Sequence, residues 1–404
     1  MAEGNKAESK KRLVSRREFL VVGGAVIVVG ALSACASKTV IETITSTMTA
    51  TTNIQPTTTT ATTTSTTTVQ PPITTTTTKT VTTTFTSTQP TVTVTQTPTL
   101  AYMNAKTYTV KRTFSITNGD AAVDIIRIWL PAITNSESQR VIATEPANIA
   151  PAISQIDAST GTSEDFWEFR SEPAQGTCLS FTQQYTVEVF QVMLNPEDPV
   201  TIPYDRSNPE YLMYTRAEKF LEADDQEIIS TARKSAGNET SPCRIARLYY
   251  EYVNNYMKYQ LIDGIGGALF ALKNGYGECG DYAALFVALC RASGVPARPV
   301  VGRWALQENG DNHVWAEFYL QDVGWVPVDP SFGPKNNADT FGKLDNGRII
   351  FNKAYNIALI PKPQWISPSA DGLQTYFWEF WCSSGNTKTI TVNLSYESSE
   401  EQGR

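Results

Sequence analysis

Threonine is the residue that first limits what this chain can fold into. Between Thr43 and Thr99 more than half of the residues are threonine, with Pro56, Pro71, Pro72, Pro90 and Pro98 interspersed and almost no charge. No sustained apolar periodicity runs through this tract, so it cannot bury enough surface to offset the entropy of ordering its backbone. Residues 35–100 therefore read as a disordered, Thr-rich stalk, a composition typical of O-glycosylated tethers. Extended at about 3.1 Å per residue, such a stalk reaches on the order of 150–200 Å. A buried core must lie elsewhere. All eight tryptophans follow residue 100, which places the core there.

Ahead of the stalk, Lys6, Lys10, Lys11, Arg12, Arg16 and Arg17 precede an apolar run from Phe19 to Leu32, which ends in Leu32-Ser33-Ala34-Cys35. A charged region, a short apolar region and a small-residue site make a secretory signal. The run is shorter than the roughly 20 apolar residues that a mature membrane-spanning helix needs. Ser15-Arg16-Arg17-Glu18-Phe19-Leu20 resembles the twin-arginine export motif. Leu32-Ser33-Ala34-Cys35 resembles a bacterial lipobox, in which the cysteine is lipidated and becomes the new N-terminus. Residues 1–34 thus read as a twin-arginine-type lipoprotein signal peptide, with Cys35 as the lipidation site. An uncleaved N-terminal anchor is the other reading. Both place the remainder outside the cytoplasm, anchored to the outer face of the cytoplasmic membrane.

The formal net charge is −7, and removal of residues 1–34 takes away six basic and three acidic residues, leaving a more acidic chain. Binding to nucleic acid calls for a basic stripe that displaces phosphate counterions. Beyond the N-terminus there is none, so that class is set aside.

Residues 101–200 read as an all-β, sandwich-like domain. Tyr108, Val110, Phe114 and Ile116 alternate, Asn118-Gly119-Asp120 is a turn signal, and Val123 to Leu130 is a second apolar run. Asn-Gly between two such runs predicts a hairpin. Phe166-Trp167-Glu168-Phe169 and Tyr185-Thr186-Val187-Glu188-Val189 add further strands. No catalytic constellation falls in this region.

From about Asp225 the apolar period changes from two to 3.6. Ser241-Pro242 is a cap followed by proline at the first helical position, and Ile245, Leu248, Tyr249, Tyr252 and Val253 line one face of the helix that follows. Gly275-Tyr276-Gly277-Glu278-Cys279-Gly280-Asp281-Tyr282-Ala283-Ala284 then opens a strongly apolar helix over 279–292, stopped by Gly294 and Pro296. Cys279 falls at the helix N-terminus, where unpaired N–H groups and the helix dipole favour an anion. Glu278 and Asp281 oppose a thiolate if they point at the sulfur. His313 is the only histidine in the chain and begins a strand. A turn at Gln321-Asp322 leads into Gly324-Trp325-Val326-Pro327-Val328-Asp329. Counted outward from that turn, His313 and Asp329 fall within one or two residues of register. Asp329 can then hold one imidazole nitrogen and leave the other for the sulfur.

Four runs together resemble the transglutaminase-like superfamily of papain-type thiol enzymes. They are Gly277-Glu278-Cys279-Gly280-Asp281-Tyr282-Ala283, Arg291-Ala292-Ser293-Gly294-Val295-Pro296-Ala297-Arg298, Asn312-His313-Val314-Trp315-Ala316-Glu317 and Trp325-Val326-Pro327-Val328-Asp329-Pro330. The resemblance covers about a quarter of the chain. It implies an α+β fold with helices packed on an antiparallel sheet over residues 201–345. It also implies that Cys279 is the nucleophile, His313 the general base and Asp329 the orienting acid. In relatives an aromatic residue upstream of the cysteine donates to the oxyanion. Tyr259 is the candidate here, beside the backbone N–H of Cys279.

The expected reaction attacks an amide bond of a protein or peptide through a Cys279 thioester. Water as acceptor makes a protease or amidase, the favoured outcome. An amine makes a cross-linking transglutaminase, and a silent triad would leave a cell-surface binding module. One histidine and scattered cysteines give no metal-ligand spacing, so neither metal nor cofactor is expected. Cys178, Cys243, Cys290 and Cys382 are available for disulfides in an exported chain, in any of three pairings. Residues 346–404, with strands at Phe377-Trp378-Glu379-Phe380 and Thr387 to Val392, read as a C-terminal β appendage that completes a sheet elsewhere or covers the core.

Overall fold

A computed structural model describes residues 59–69, 73–83, 99–157, 160–199, 201–306, 312–332, 338–365, 369–372 and 374–401. The signal segment and Cys35 lie outside them. The chain divides into two units, Met1–Val94 and Thr95–Arg404.

In the first unit, Thr59–Val69 and Ile73–Thr83 form an antiparallel pair whose register runs from Val69↔Ile73 to Thr59↔Thr83. A structureless stalk was the expectation for this stretch. Threonine favours extended backbone.

The second unit begins with a β-module. Its strands are β1 (Thr99–Asn118), β2 (Ala122–Pro131), β3 (Gln139–Glu145), β4 (Ile153–Ile156), β5 (Ser163–Arg170) and β6 (Thr177–Asn195). The expected period of two is plain in β1, where Tyr108, Val110, Arg112, Phe114 and Ile116 are all buried. The Asn118-Gly119 turn is not the hairpin that the dipeptide predicts. β1 pairs with β6, whereas β2 pairs with β5, so the turn carries the chain from one sheet to the other. The Asn118 side chain secures the crossing: its amide donates to the Ala121 and Pro173 carbonyls, and its oxygen accepts the Ala121 N–H.

The module is closed by the far end of the chain. Phe377–Ser384 pairs with β2, and Ile390–Glu400 pairs along β1 from Asn118 to Tyr108. Residues 346–404 thus supply a strand to each sheet of the sandwich, completing sheets begun elsewhere in the chain. Phe114, Ile116, Ile126, Ile128, Trp167 and Phe181 fill the space between the sheets.

In chain order, the helical core falls between the strands of the β-module and the C-terminal strands that close it. It comprises α1 (Pro209–Thr215), α2 (Gln226–Ala236), α3 (Pro242–Tyr256), α4 (Ala268–Asn274) and α5 (Cys279–Ala292). Asn208, Asp225 and Ser241 cap α1, α2 and α3 with their side chains, each satisfying a backbone N–H that has no partner within its helix. The helix expected over 279–292 is α5. Every residue from Asp281 to Arg291 on it is buried, as its apolar character on all sides requires. It packs on an antiparallel sheet of β7 (Ala297–Trp304), β8 (Asn312–Leu320), β9 (Gly324–Val328) and β10 (Arg348–Asn352), in the order β9-β8-β7-β10. β10 also comes from the region read as an appendage. Gly302 on β7 faces His313 across the ladder, and a Cβ there would stand 2.1 Å from the Ile349 carbonyl oxygen. Only glycine lets β10 approach this closely. The fold is α+β, as expected.

Candidate active site

Cys279 is the first residue of α5 and is buried. The carboxylates of the two acidic residues beside it are engaged by backbone N–H groups. Asp281 accepts the N–H groups of Glu278, Gly266 and Gly267, and Glu278 accepts that of Ile262. These bonds fasten the glycine-containing loop at 264–267 to the helix start and satisfy donors at the helix end. Beneath the cysteine, the buried Tyr355 hydroxyl donates to the Gly280 carbonyl.

His313, on the second position of β8, hydrogen-bonds Asp329 through Nε2 at 2.6 Å. This leaves Nδ1 for the Cys279 thiol, which lies close enough to act on the charge of the ring. The last rung between β8 and β9 is Ala316↔Val328. Asp329 stands one step beyond it and reaches His313 on the diagonal, at the outer limit of the expected register offset. Three rings surround the imidazole: Trp304 stacked at 5.2 Å between centroids, Trp315 at 6.2 Å, and Phe332 edge-on at 5.5 Å.

Asp329 is fully buried and all of its lone-pair directions are used. Oδ1 accepts from the Ser331 hydroxyl at 2.6 Å and the Ser331 N–H at 3.1 Å. Oδ2 accepts from His313 and from the Arg348 guanidinium. Burial alone would raise this carboxyl, but the charges of His313 and Arg348 outweigh it and hold it well below the usual carboxylate range. Burial likewise works against protonation of His313. The Asp329 charge and hydrogen bond, aided by Cys279, prevail and push the imidazole up to about 9, so at neutral pH it carries a proton.

Tyr259 comes into the site through a two-residue parallel bridge, Lys258↔Tyr276 and Tyr259↔Gly277. Its ring is largely exposed, while its hydroxyl is near enough to Cys279 for the two groups to interact. Burial of that end, then the Cys279 and Glu278 charges, raises its pKa and keeps it a neutral donor. Replacing Tyr259 by phenylalanine is expected to lower kcat about 10²-fold with little change in KM, the usual loss for one oxyanion donor. Steady-state kinetics check this; a kcat within about twofold of wild type would leave the Cys279 N–H as the only donor.

The model of the Transglutaminase-like superfamily matches residues 229–330, from α2 to the residue after Asp329. This segment is a transglutaminase-like domain. Over 80 residues the chain is 32% identical to a protein-glutamine gamma-glutamyltransferase of Pseudomonas aeruginosa, an overlap of 17% of this chain and only 12% of that protein. A longer alignment, 26% identical over 310 residues, covers 65% of this chain and 83% of an uncharacterized protein of Haemophilus influenzae. Among solved structures, a candidate cysteine protease from Cytophaga hutchinsonii shares the fold with a TM-score of 0.54 at 16% identity, over 76% of this chain and 94% of that one. The shared fold is thus wider than the transglutaminase-like domain.

The structure brings Cys279, His313, Asp329 and Tyr259 together. Sequence reasoning missed Arg348 and Ser331 on Asp329, Trp304 on His313 and Tyr355 under Cys279. Ser331 follows Asp329 by two residues, a spacing that fits an Asx turn and could have flagged it. Arg348 carries no such local signal. Cys178, Cys243, Cys290 and Cys382 are all free thiols.

Proposed function

We propose that this protein is an extracytoplasmic thiol enzyme that cleaves amide bonds of proteins or peptides. The observation carrying this reading is the buried His313–Asp329 pair set against a cysteine at a helix N-terminus. A protonated His313 next to the sulfur favours the thiolate, which is the nucleophile. The Cys279 sulfur attacks the amide carbonyl, whose oxygen takes negative charge between the Cys279 N–H and the Tyr259 hydroxyl. His313 gives its proton to the departing amine, leaving a thioester. With the thiolate consumed, one charge that held the proton on His313 is gone, and the neutral ring can take a proton from water. Water then attacks the thioester, releasing the acid and restoring the thiol.

An amine in place of water would give a cross-link, the reaction named for the Pseudomonas relative. Cell-envelope protein incubated with a tagged primary amine separates the two. Peptide release lost in Cys279→Ala, without tag incorporation, supports hydrolysis; incorporation dependent on Cys279 replaces it with transfer. The lipobox resemblance supports attachment through a lipid on Cys35, beyond the described residues. Labelling with an alkyne-bearing fatty acid tests it, and label retained in Cys35→Ala would discard the anchor.

A further inference from the structure

Arg348 shares the surroundings of His313 to an unusual degree. Its guanidinium lies 4.4 Å from the centroid of Trp304, 5.6 Å from that of Phe332 and 5.7 Å from that of Trp315. These are the three rings that surround the imidazole. The guanidinium lies over the Trp304 ring, and His313 is stacked against the same ring. Both cations bind the same Asp329 oxygen, Oδ2. Two cationic groups on one carboxylate, within one set of aromatic rings, is a costly arrangement for a merely structural arginine. A buried pair of this kind commonly contributes less to stability than an apolar replacement would.

We infer that Arg348 is a positioning residue of the reaction, a fourth member of the Cys279–His313–Asp329 unit that acts through Asp329 and Trp304. This inference rests on the thiol-enzyme reading above. Arg348 fixes the carboxylate so that Oδ2 meets His313 Nε2, keeps that carboxylate charged, and holds Trp304 flat against the imidazole. It also sets the local charge. With Asp329 ionised, His313 protonated and Arg348 cationic, the buried cluster carries one net positive charge, and a thiolate at Cys279 neutralises it. Among the described residues, Asp345, half-exposed, pairs with Arg348 Nε at 3.0 Å, and Glu278 and Asp281 flank Cys279 with their carboxylates on backbone N–H groups. Solvent screens Asp345, so it offsets Arg348 only weakly. Ser331 donates to Asp329 without adding charge.

Removing the Arg348 charge has two effects of the same sign: Asp329 takes up a proton more readily, and the thiolate loses a nearby cation. Both move the acid limb of Cys279 reactivity to higher pH. The test is the iodoacetamide rate at Cys279 between pH 4 and 9, followed by peptide mass spectrometry on the full chain, with thermal melts alongside. Arg348→Met is expected to shift the limb upward by about one pH unit or more. Arg348→Lys, which keeps the charge, should return it to near wild type. If wild type itself shows no enhanced reactivity near neutrality, the thiol-enzyme reading fails. If wild type is reactive and Arg348→Met lowers the melting temperature without moving the limb, the reading stands and Arg348 is structural. Arg348→Gln, which keeps a polar head, carries the same measurement should the methionine variant not fold. Collapse of both uncharged variants, with Lys folded and its limb in place, would also assign Arg348 to the fold alone.

Discussion

At pH 6, iodoacetamide is expected to modify Cys279 at least ten times faster than Cys178, and alanine at position 279 to abolish turnover. The two thiols differ in a way that makes the comparison stringent. Cys178 is exposed on β6, whereas Cys279 is buried, so access alone would favour Cys178. Only ionisation promoted by His313 reverses that order, because the thiolate is the reacting species. Burial pushes the Cys243 thiol up to about 12 and that of Cys290 well above its ordinary value. Neither competes at this pH. The rate difference should vanish in His313→Ala, which removes the cation while leaving the sulfur in place. For Cys279→Ala the loss in kcat is expected to be on the order of 10⁴-fold or more, since a nucleophile and its base act as one unit. Site-resolved mass spectrometry reads the first expectation and a peptide-release assay the second. Equal modification of Cys178 and Cys279 at pH 6 would make the triad silent, as in a binding module.

The parts of this site that sequence revealed are those set by short-range rules. Cys279 was legible because an apolar helix with Gly294 and Pro296 at its end fixes where the helix begins. His313 was legible as the sole histidine, and Asp329 because a two-strand turn ties its position to that of β8. Tyr259 could be named only by resemblance. Its place depends on a bridge to Gly277 that no periodicity announces. Arg348 was out of reach for a plainer reason. It becomes Asp329's partner only once β10 adds to β7 and brings its side chain across the sheet, a pairing between distant segments. The same limit hid the closure of the β-module. Thr387 to Val392 looked like a strand, which in fact begins at Ile390 after a 3₁₀ turn, and nothing within it names a partner some 280 residues away. Asn118-Gly119 failed differently, because the dipeptide specifies a tight turn and leaves open whether the flanking strands pair with each other. Local chemistry was therefore readable, and sheet order was not.

Changing Asp329 to asparagine should produce the other large effect, on rate and stability together. The side chain keeps its shape and loses its charge. Without that charge only Cys279 opposes the burial that favours neutral His313, so the imidazolium is lost at neutral pH and kcat/KM is expected to fall by about 10³–10⁴. Arg348 is left buried with Asp345 as its remaining partner, a loss on the order of 3–5 kcal/mol for a broken buried pair. The pH dependence separates this from simple loosening. In the wild type His313 is raised from 6.5 to about 9 by folding, so its contribution, on the order of 3 kcal/mol, is complete below pH 6.5 and is lost as pH rises through 9. Asp329 is depressed by folding, so its contribution is present above the ordinary carboxylate range and is lost as pH falls. The variant has neither. Its His313 is buried without the Asp329 charge, which reverses the sign: protonation now favours the unfolded chain, so stability rises with pH up to the ordinary imidazole value of about 6.5 and levels off above it. Urea denaturation of both proteins at pH 6 and pH 9 measures the difference directly. The stability gap between them should be wide at pH 6 and narrow by several kcal/mol at pH 9. A gap of equal size at both values would mean that His313 is not held as a cation by Asp329, and the charge relation on which the proposed mechanism depends would fall with it.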